Sequence, residues 1–105
     1  MRFLAVLTTI DDEIRARALA SALVEQRLVA CAQISRIESV YRWDGDVVQE
    51  PEYRLLLKTT EARYPELEHA IGQLHPYETP AIMALPAEKL EAAFGNWVVS
   101  ETRPD

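Results

Sequence analysis

The stretch Ile37-Glu38-Ser39-Val40-Tyr41-Arg42-Trp43-Asp44-Gly45-Asp46-Val47-Val48 decides the fold. Successive strand side chains point to opposite faces, so Ile37, Ser39, Tyr41 and Trp43 share one face and Glu38, Val40 and Arg42 the other. Asp44-Gly45 is a strong signal for a tight hairpin turn, because these residues tolerate the left-handed backbone that such turns need. The pattern predicts a long strand over 29–42, a turn, and a return strand over 47–60. Pro51 cannot donate to a ladder, so it marks a bulge or an edge position in the return strand.

Residues 2–9 place Phe3, Leu4, Ala5, Val6 and Leu7 in succession, as expected of a central strand buried on both faces. Thr9 followed three residues later by Asp12, with Asp11 and Glu13 nearby, predicts a helix start. Ala18, Leu19, Ala22, Leu23 and Leu28 then recur at helical spacing, leaving Arg15, Arg17, Glu25 and Gln26 for solvent. Tyr64-Pro65 opens a second helix carrying Leu67, Ile71 and Leu74 at spacings of four and three. Residues 81–85 form an apolar, strand-like run closed by Pro86. Residues 87–94 read as a brief helix before Gly95, and 96–100 as a last short strand. The order β-α-β-β-α-β defines the fold class as α+β. It is a ferredoxin-like sandwich with an extended central hairpin and a short C-terminal helix and strand.

A chain of 105 residues with 49% hydrophobic content is expected to form one domain, spanning 1–105. A domain of this size stands alone but gains from association. Seventeen acidic against eleven basic residues give a net charge of -6, which argues against nucleic acid as a partner. The first apolar segment is too short for a signal core or a membrane span, so a cytoplasmic location without membrane attachment is expected. The single cysteine, Cys31, fits a reducing compartment.

Leu74-His75-Pro76-Tyr77-Glu78-Thr79-Pro80 gathers an imidazole, a phenol and a carboxylate on backbone stiffened by two prolines. The arriving helix should stop near His75. There the helix end favours the imidazolium, whereas metal binding needs the neutral ring. The plainer reading of His75 is a cap on the last carbonyls of its helix. Tyr77 is equally readable as a packed tyrosine, and Glu78 as a solvated charge. Glu66 and His69 have the Glu-x-x-His spacing of carboxylate-bridged bundles, but no partner motif accompanies them. Cys31 between Ala30 and Ala32 suits a small buried hydrophobe. One thiol and two unpaired imidazoles do not make a tetrahedral site within one chain, so a metal would be held weakly, by carboxylates, or between subunits. Trp43, Tyr41 and Tyr53 around the hairpin suggest an interface core. Lys58 reads as a strand-end charge that, if inward, needs Glu50 or a bound anion. No catalytic motif is visible, so an enzyme is not expected.

Several blocks in order resemble the CutA family of divalent cation tolerance. They are Val6-Leu7-Thr8-Thr9, then the run from Leu23 to Ala32, then Ser39-Val40-Tyr41-Arg42-Trp43-Asp44-Gly45. Leu57-Lys58-Thr59-Thr60, His75-Pro76-Tyr77-Glu78-Thr79-Pro80 and Ala84-Leu85-Pro86 follow. The resemblance covers nearly the whole chain. It implies a ferredoxin-like subunit in a tight homotrimer built through the hairpin, located in the cytoplasm, with copper or another divalent cation as ligand. His75 and Cys31 are the metal positions that carry over, and Tyr77, Glu78, Trp43, Lys58 and Glu50 are expected around an intersubunit pocket. Two donors found in family members with a proposed copper site are replaced here by Thr8 and Leu74. The family's Pro-Gly turn is also absent near Ser35-Arg36-Ile37. The alternative reading is a trimeric small-molecule or anion sensor with Lys58, Arg42 and Trp43 lining a cleft, or a scaffold that tethers a partner.

Overall fold

Strand β1, Phe3–Ile10, lies between two other strands, and the computed structural model, which describes residues 1–104, shows why its apolar run is so continuous. Leu4, Val6, Thr8 and Ile10 are buried under the helices, while Phe3, Ala5, Leu7 and Thr9 are half-covered on the other face. The remaining elements are α1 (Glu13–Glu25), β2 (Cys31–Trp43), β3 (Asp46–Thr60), α2 (Tyr64–Leu74), β4 (Ile82–Pro86) and α3 (Ala92–Glu101). The sheet has the order β2-β3-β1-β4, with every neighbouring pair antiparallel. This is the ferredoxin-like arrangement predicted from the element order.

Helices α1 and α2 cover one face. Leu19 and Leu23 from α1 meet Leu67 and Ile71 from α2 over Val6, Leu55 and Leu57 of the sheet. Burying each such side chain contributes about 1.5–3 kcal/mol, so this layer is the main source of stability. Asp12 caps α1, its side chain accepting from the N–H groups of Ile14 and Arg15 at 2.8 and 3.2 Å, while Thr9 remains in β1. At the other end Arg27 takes φ 59°, and Leu28 N–H reaches Leu23 O at 3.1 Å, a left-handed closure usually given to glycine. Arginine earns its place there: its guanidinium donates to Ser100 O and Arg103 O at 2.8 and 2.9 Å, tying down the end of α3.

The C-terminal segment departs from the sequence reading. Residues 87–91 are not helical, and 96–100, read as a strand, belong to α3. The Glu91 carboxylate supplies the missing start signal by accepting from Ala93 and Phe94 N–H, both at 2.9 Å. Val98 is then buried on the inner side of the helix, and Gly95 passes so close to Phe3 that an added Cβ would lie 3.1 Å from the ring. Tertiary packing thus outweighs the strand preference of Trp97-Val98-Val99.

The hairpin turn follows its chemistry: Asp44 and Gly45 both have positive φ, 51° and 85°, as a two-residue hairpin loop needs. The register from Cys31↔Lys58 to Trp43↔Asp46 is unbroken, so Pro51 makes no bulge. It occupies an edge instead, because β1 ends at Ile10↔Tyr53 and β3 has no strand on that side beyond this point. From Ile37↔Glu52 to Trp43↔Asp46 the hairpin is therefore a two-stranded arm, roughly 20 Å long. Helix α3 covers only part of the sheet's second face. Met83, Leu85 and Trp97 remain 54%, 46% and 44% exposed.

One core atom stands out. The Thr8 hydroxyl is buried in the helix-facing layer without a hydrogen-bond partner among the described residues, a state that costs about 1–3 kcal/mol. Thr8→Val keeps the shape and removes the polar atom, so it should raise the unfolding free energy by about 1 kcal/mol in a urea titration, with an unchanged m value.

Candidate functional site

Helix α2 stops at Leu74, where Pro76 forces the preceding residue out of helical backbone. His75 is extended, with φ −79° and ψ 137°. Its backbone N–H closes the helix on Ile71 O at 2.8 Å, but its side chain does not cap that helix. The ring is 7% exposed and bridges to β1, with Nε2 2.7 Å from Thr9 O and Nδ1 3.1 Å from Tyr77 N. A carbonyl only accepts and an amide only donates, so Nε2 carries the proton and Nδ1 accepts: the ring is the neutral tautomer with both nitrogens engaged. The Tyr77 ring packs edge-on against it, with centroids 4.6 Å apart.

This bridge aims Tyr77 across the end of β1 at the hairpin arm. Its hydroxyl donates to Glu52 Oε2 at 2.8 Å, and Glu52 is only 6% exposed. A second pair lies farther along the arm, where Tyr41 donates to Glu50 Oε1 at 2.6 Å. Burial, then the bond to Glu52, then the charges of Glu52, Asp11 and Glu50 push the Tyr77 phenol far above its ordinary value. Tyr41 is pushed up to about 12, chiefly by its bond to Glu50.

Between the arm and the loop after α2 lies a cleft of about 840 Å³. Asp11, Glu38, Glu50, Glu52 and Glu78 line it together with Tyr41, Trp43 and Tyr77, and no lysine or arginine does. Of the residues expected around a pocket, Tyr77, Glu78, Trp43 and Glu50 thus meet within one subunit.

Lys58 does not join them. It lies eight positions along β3 from Glu50, roughly 27 Å at strand rise, and its ammonium donates to Gln33 Oε1 at 2.8 Å. Phe94 lies beneath it, 6.0 Å from the nitrogen. Arg42 and Trp43 are adjacent on β2 and face opposite ways. The cationic cleft required by the anion reading is therefore not formed within the subunit. A smaller hollow of about 510 Å³ carries Arg17 and Arg36, but Arg17 is paired with Glu13 at 2.9 Å.

Cys31 is half-buried as a free thiol opposite Lys58, which in turn pairs with Ala5. Ala5 is four residues down β1 from the Thr9 carbonyl that holds His75, roughly 13 Å. The two expected metal donors are thus separated both along the strands and across β3. Among the described residues no three His, Cys, Asp or Glu side chains converge as a metal group. The sequence reading missed Glu52 and Asp11. The period-two pattern held a signal for Glu52, which shares the face of Glu50 across Pro51. Asp11 carried none, because only folding brings it to the cleft.

The sheet, its covering helices and the acidic, aromatic cleft define a ferredoxin-like protein suited to cationic rather than anionic ligands. Residues 4–101 match the family model described as CutA1 divalent ion tolerance protein, and the chain belongs to that family. The divalent-cation tolerance protein CutA of Thermus thermophilus is 43% identical over 98 residues, covering 92% of this chain and 95% of that one. A solved structure of the Thermus thermophilus protein superimposes with a TM-score of 0.92 at 41% identity, covering 96% and 99% of the two chains. A structure named as the periplasmic divalent cation tolerance protein CutA of Archaeoglobus fulgidus superimposes with a TM-score of 0.93 at 27% identity, covering 98% and 100%. The family is named for cation tolerance and not for a reaction.

The raised phenols fix how stability responds to alkali. Unfolded tyrosines ionise near pH 10 while Tyr77 and Tyr41 keep their protons in the fold, so the unfolded chain binds fewer protons above that pH. Their contribution is complete below about pH 10 and is lost as pH rises through the folded values. Tyr77→Phe should cost about 1–3 kcal/mol at pH 7 by stranding Glu52. The denaturant midpoints of the variant and the parent should begin to converge as the pH rises above about 10.

Proposed function

We propose that the chain works as a cytoplasmic homotrimer in divalent cation tolerance, with copper among its cations, and binds metal weakly without catalysing a reaction. Membership of the family carries this reading. Assembly is supported by the arm, since a two-stranded ribbon is marginal in water unless something packs on it. The exposed Met83, Leu85 and Trp97 beside half-covered Leu7 and Leu56 give a partner an apolar surface to bury. The described residues contain no helix long and apolar enough to cross a membrane.

Weak binding between subunits fits the donors. Cys31 and His75 are the metal positions suggested by the sequence, yet they lie too far apart to share an ion within one subunit. Cys31 has a free thiol. His75 has the neutral ring that metals require, but a metal at Nδ1 would have to displace the Tyr77 amide, a loss of about 0.5–1.5 kcal/mol. The reading therefore places the thiol first among the donors, with the imidazole chiefly holding the loop.

Sedimentation equilibrium should give a mass about three times the 11.9 kDa subunit. Paired Met83→Asp and Leu85→Asp substitutions should shift it toward the monomer, and a monomeric parent protein would rule the trimer out. In calorimetric titration with copper(II), Cys31→Ser should weaken binding at least tenfold. His75→Ala should stay within about threefold of the parent while melting at a lower temperature. A tenfold loss in His75→Ala would instead put the imidazole in the metal site.

A further inference from the structure

The acidic cleft has a composition that neither family membership nor the metal reading explains. All the formal charges that line it are negative: Glu50 and Glu52 on the arm face that carries Tyr41 and Trp43, Asp11 and Glu78 on the facing side, and Glu38 at the border, on the arm's other face. Tyr41, Trp43 and Tyr77 supply aromatic surface among them. Glu52 adds an independent observation. It is 6% exposed, only its Oε2 is engaged, and the donor is a neutral phenol. Its other oxygen has no hydrogen-bond partner, and the carboxylate has no cation within salt-bridge distance, among the described residues. Glu52 lines the cleft, so a cationic donor entering the cleft can reach the oxygen that Tyr77 leaves free.

Size and arrangement decide which kind of cation fits. A metal ion needs four to eight donors converging at roughly 2.0–2.6 Å, and no such group forms here among the described residues. The cleft's volume of about 840 Å³ instead suits a small organic molecule, for which sites run to about 300–1,000 Å³. Carboxylates on both sides of the cleft call for more than one positive charge, separated along the ligand. The aromatic rings suit the rest: an ammonium within about 6 Å of a ring face is attracted to it, and methylene groups pack on the same surface.

We propose that this cleft binds an elongated organic polycation, a polyamine with two or more ammonium groups separated by methylenes. One ammonium pairs with Glu52 and Glu50 on the arm, another with Asp11 or Glu78 on the facing side, and the chain between them lies against Trp43 and Tyr77. The inference is independent of copper binding, which the preceding proposal assigns to Cys31, and different residues report on the two sites.

The test is calorimetric titration of the full-length, assembled protein with spermidine at low ionic strength, with tryptophan fluorescence followed in parallel. Spermidine should bind the parent protein saturably and change its emission. Glu52→Gln, which keeps an acceptor for Tyr77, should weaken binding at least tenfold. Trp43→Leu should weaken it at least threefold and abolish the emission change. Glu88→Gln, exposed and outside the cleft, should leave it unchanged. The proposal is overturned by an absence of saturable binding at millimolar spermidine, which includes the case of a neighbouring subunit filling the cleft. Unchanged binding in Glu52→Gln overturns it as well, as does equal weakening in Glu88→Gln, which would mean diffuse attraction to an acidic surface.

Discussion

The hairpin is longer than the sheet it belongs to, and the rest of the architecture follows from that mismatch. Strand β1 ends at Ile10 while β2 and β3 continue to the turn at Asp44-Gly45, so one side of β3 loses its neighbour partway along. A bare strand edge invites pairing, and here it is managed locally. Pro51 removes a donor from the exposed stretch, and the loop after α2 folds alongside it. The last carbonyls of β1 also need partners, and the His75 ring supplies one to Thr9. The space left between arm and loop is the cleft. His75 thereby serves as a brace between a helix end and a strand end, with its neighbour Tyr77 delivered to Glu52 as the result.

Most of the fold was legible because its signals are local. The alternation of Ile37 to Trp43, the Asp-Gly turn and the helical spacing of Leu67, Ile71 and Leu74 each need only a short window of sequence. The C-terminal helix was not legible for the same reason. Its start depends on Glu91 acting as a cap, a role more often taken by shorter side chains, and its path depends on Gly95 nesting against Phe3 at the far end of the chain. The site divides along the same line. His75, Tyr77 and Glu78 announced themselves by stiff backbone and clustered chemistry, and Trp43 and Glu50 by their place on the arm. Lys58 stands apart from them within the subunit, and its distance along β3 becomes readable only once the arm is known to be straight and unbroken.

Charge separates cation from anion as the ligand more firmly than any single contact does. The chain carries a net charge of -6, and several of its cations are committed elsewhere. Arg17 is held by Glu13, Arg27 by carbonyls at the end of α3, and Arg63 by Glu66. Lys58 rests on Gln33 above Phe94. Carboxylates meanwhile line the cleft, and among the described residues two of them are met by phenols, which satisfy hydrogen bonding without neutralising charge. That arrangement repels anions and leaves an attraction that only an incoming cation can complete.

If the chain assembles through its arm, as proposed above, the cleft and the assembly are coupled. One wall is the two-stranded arm, whose order comes in large part from whatever packs against it, since an isolated ribbon of this kind is marginal. Association that fixes the arm therefore also fixes the spacing of Glu50, Glu52, Tyr41 and Trp43 from the loop that carries Tyr77 and Glu78. A ligand that bridges arm and loop stabilises the same conformation that a partner subunit requires. By linkage, each then strengthens the other by the same factor, provided that the neighbouring subunit leaves the cleft open. In the proposed trimer, a cation bound there would tighten the assembly by bracing the arm, and the assembly would favour the cation by holding the arm in place.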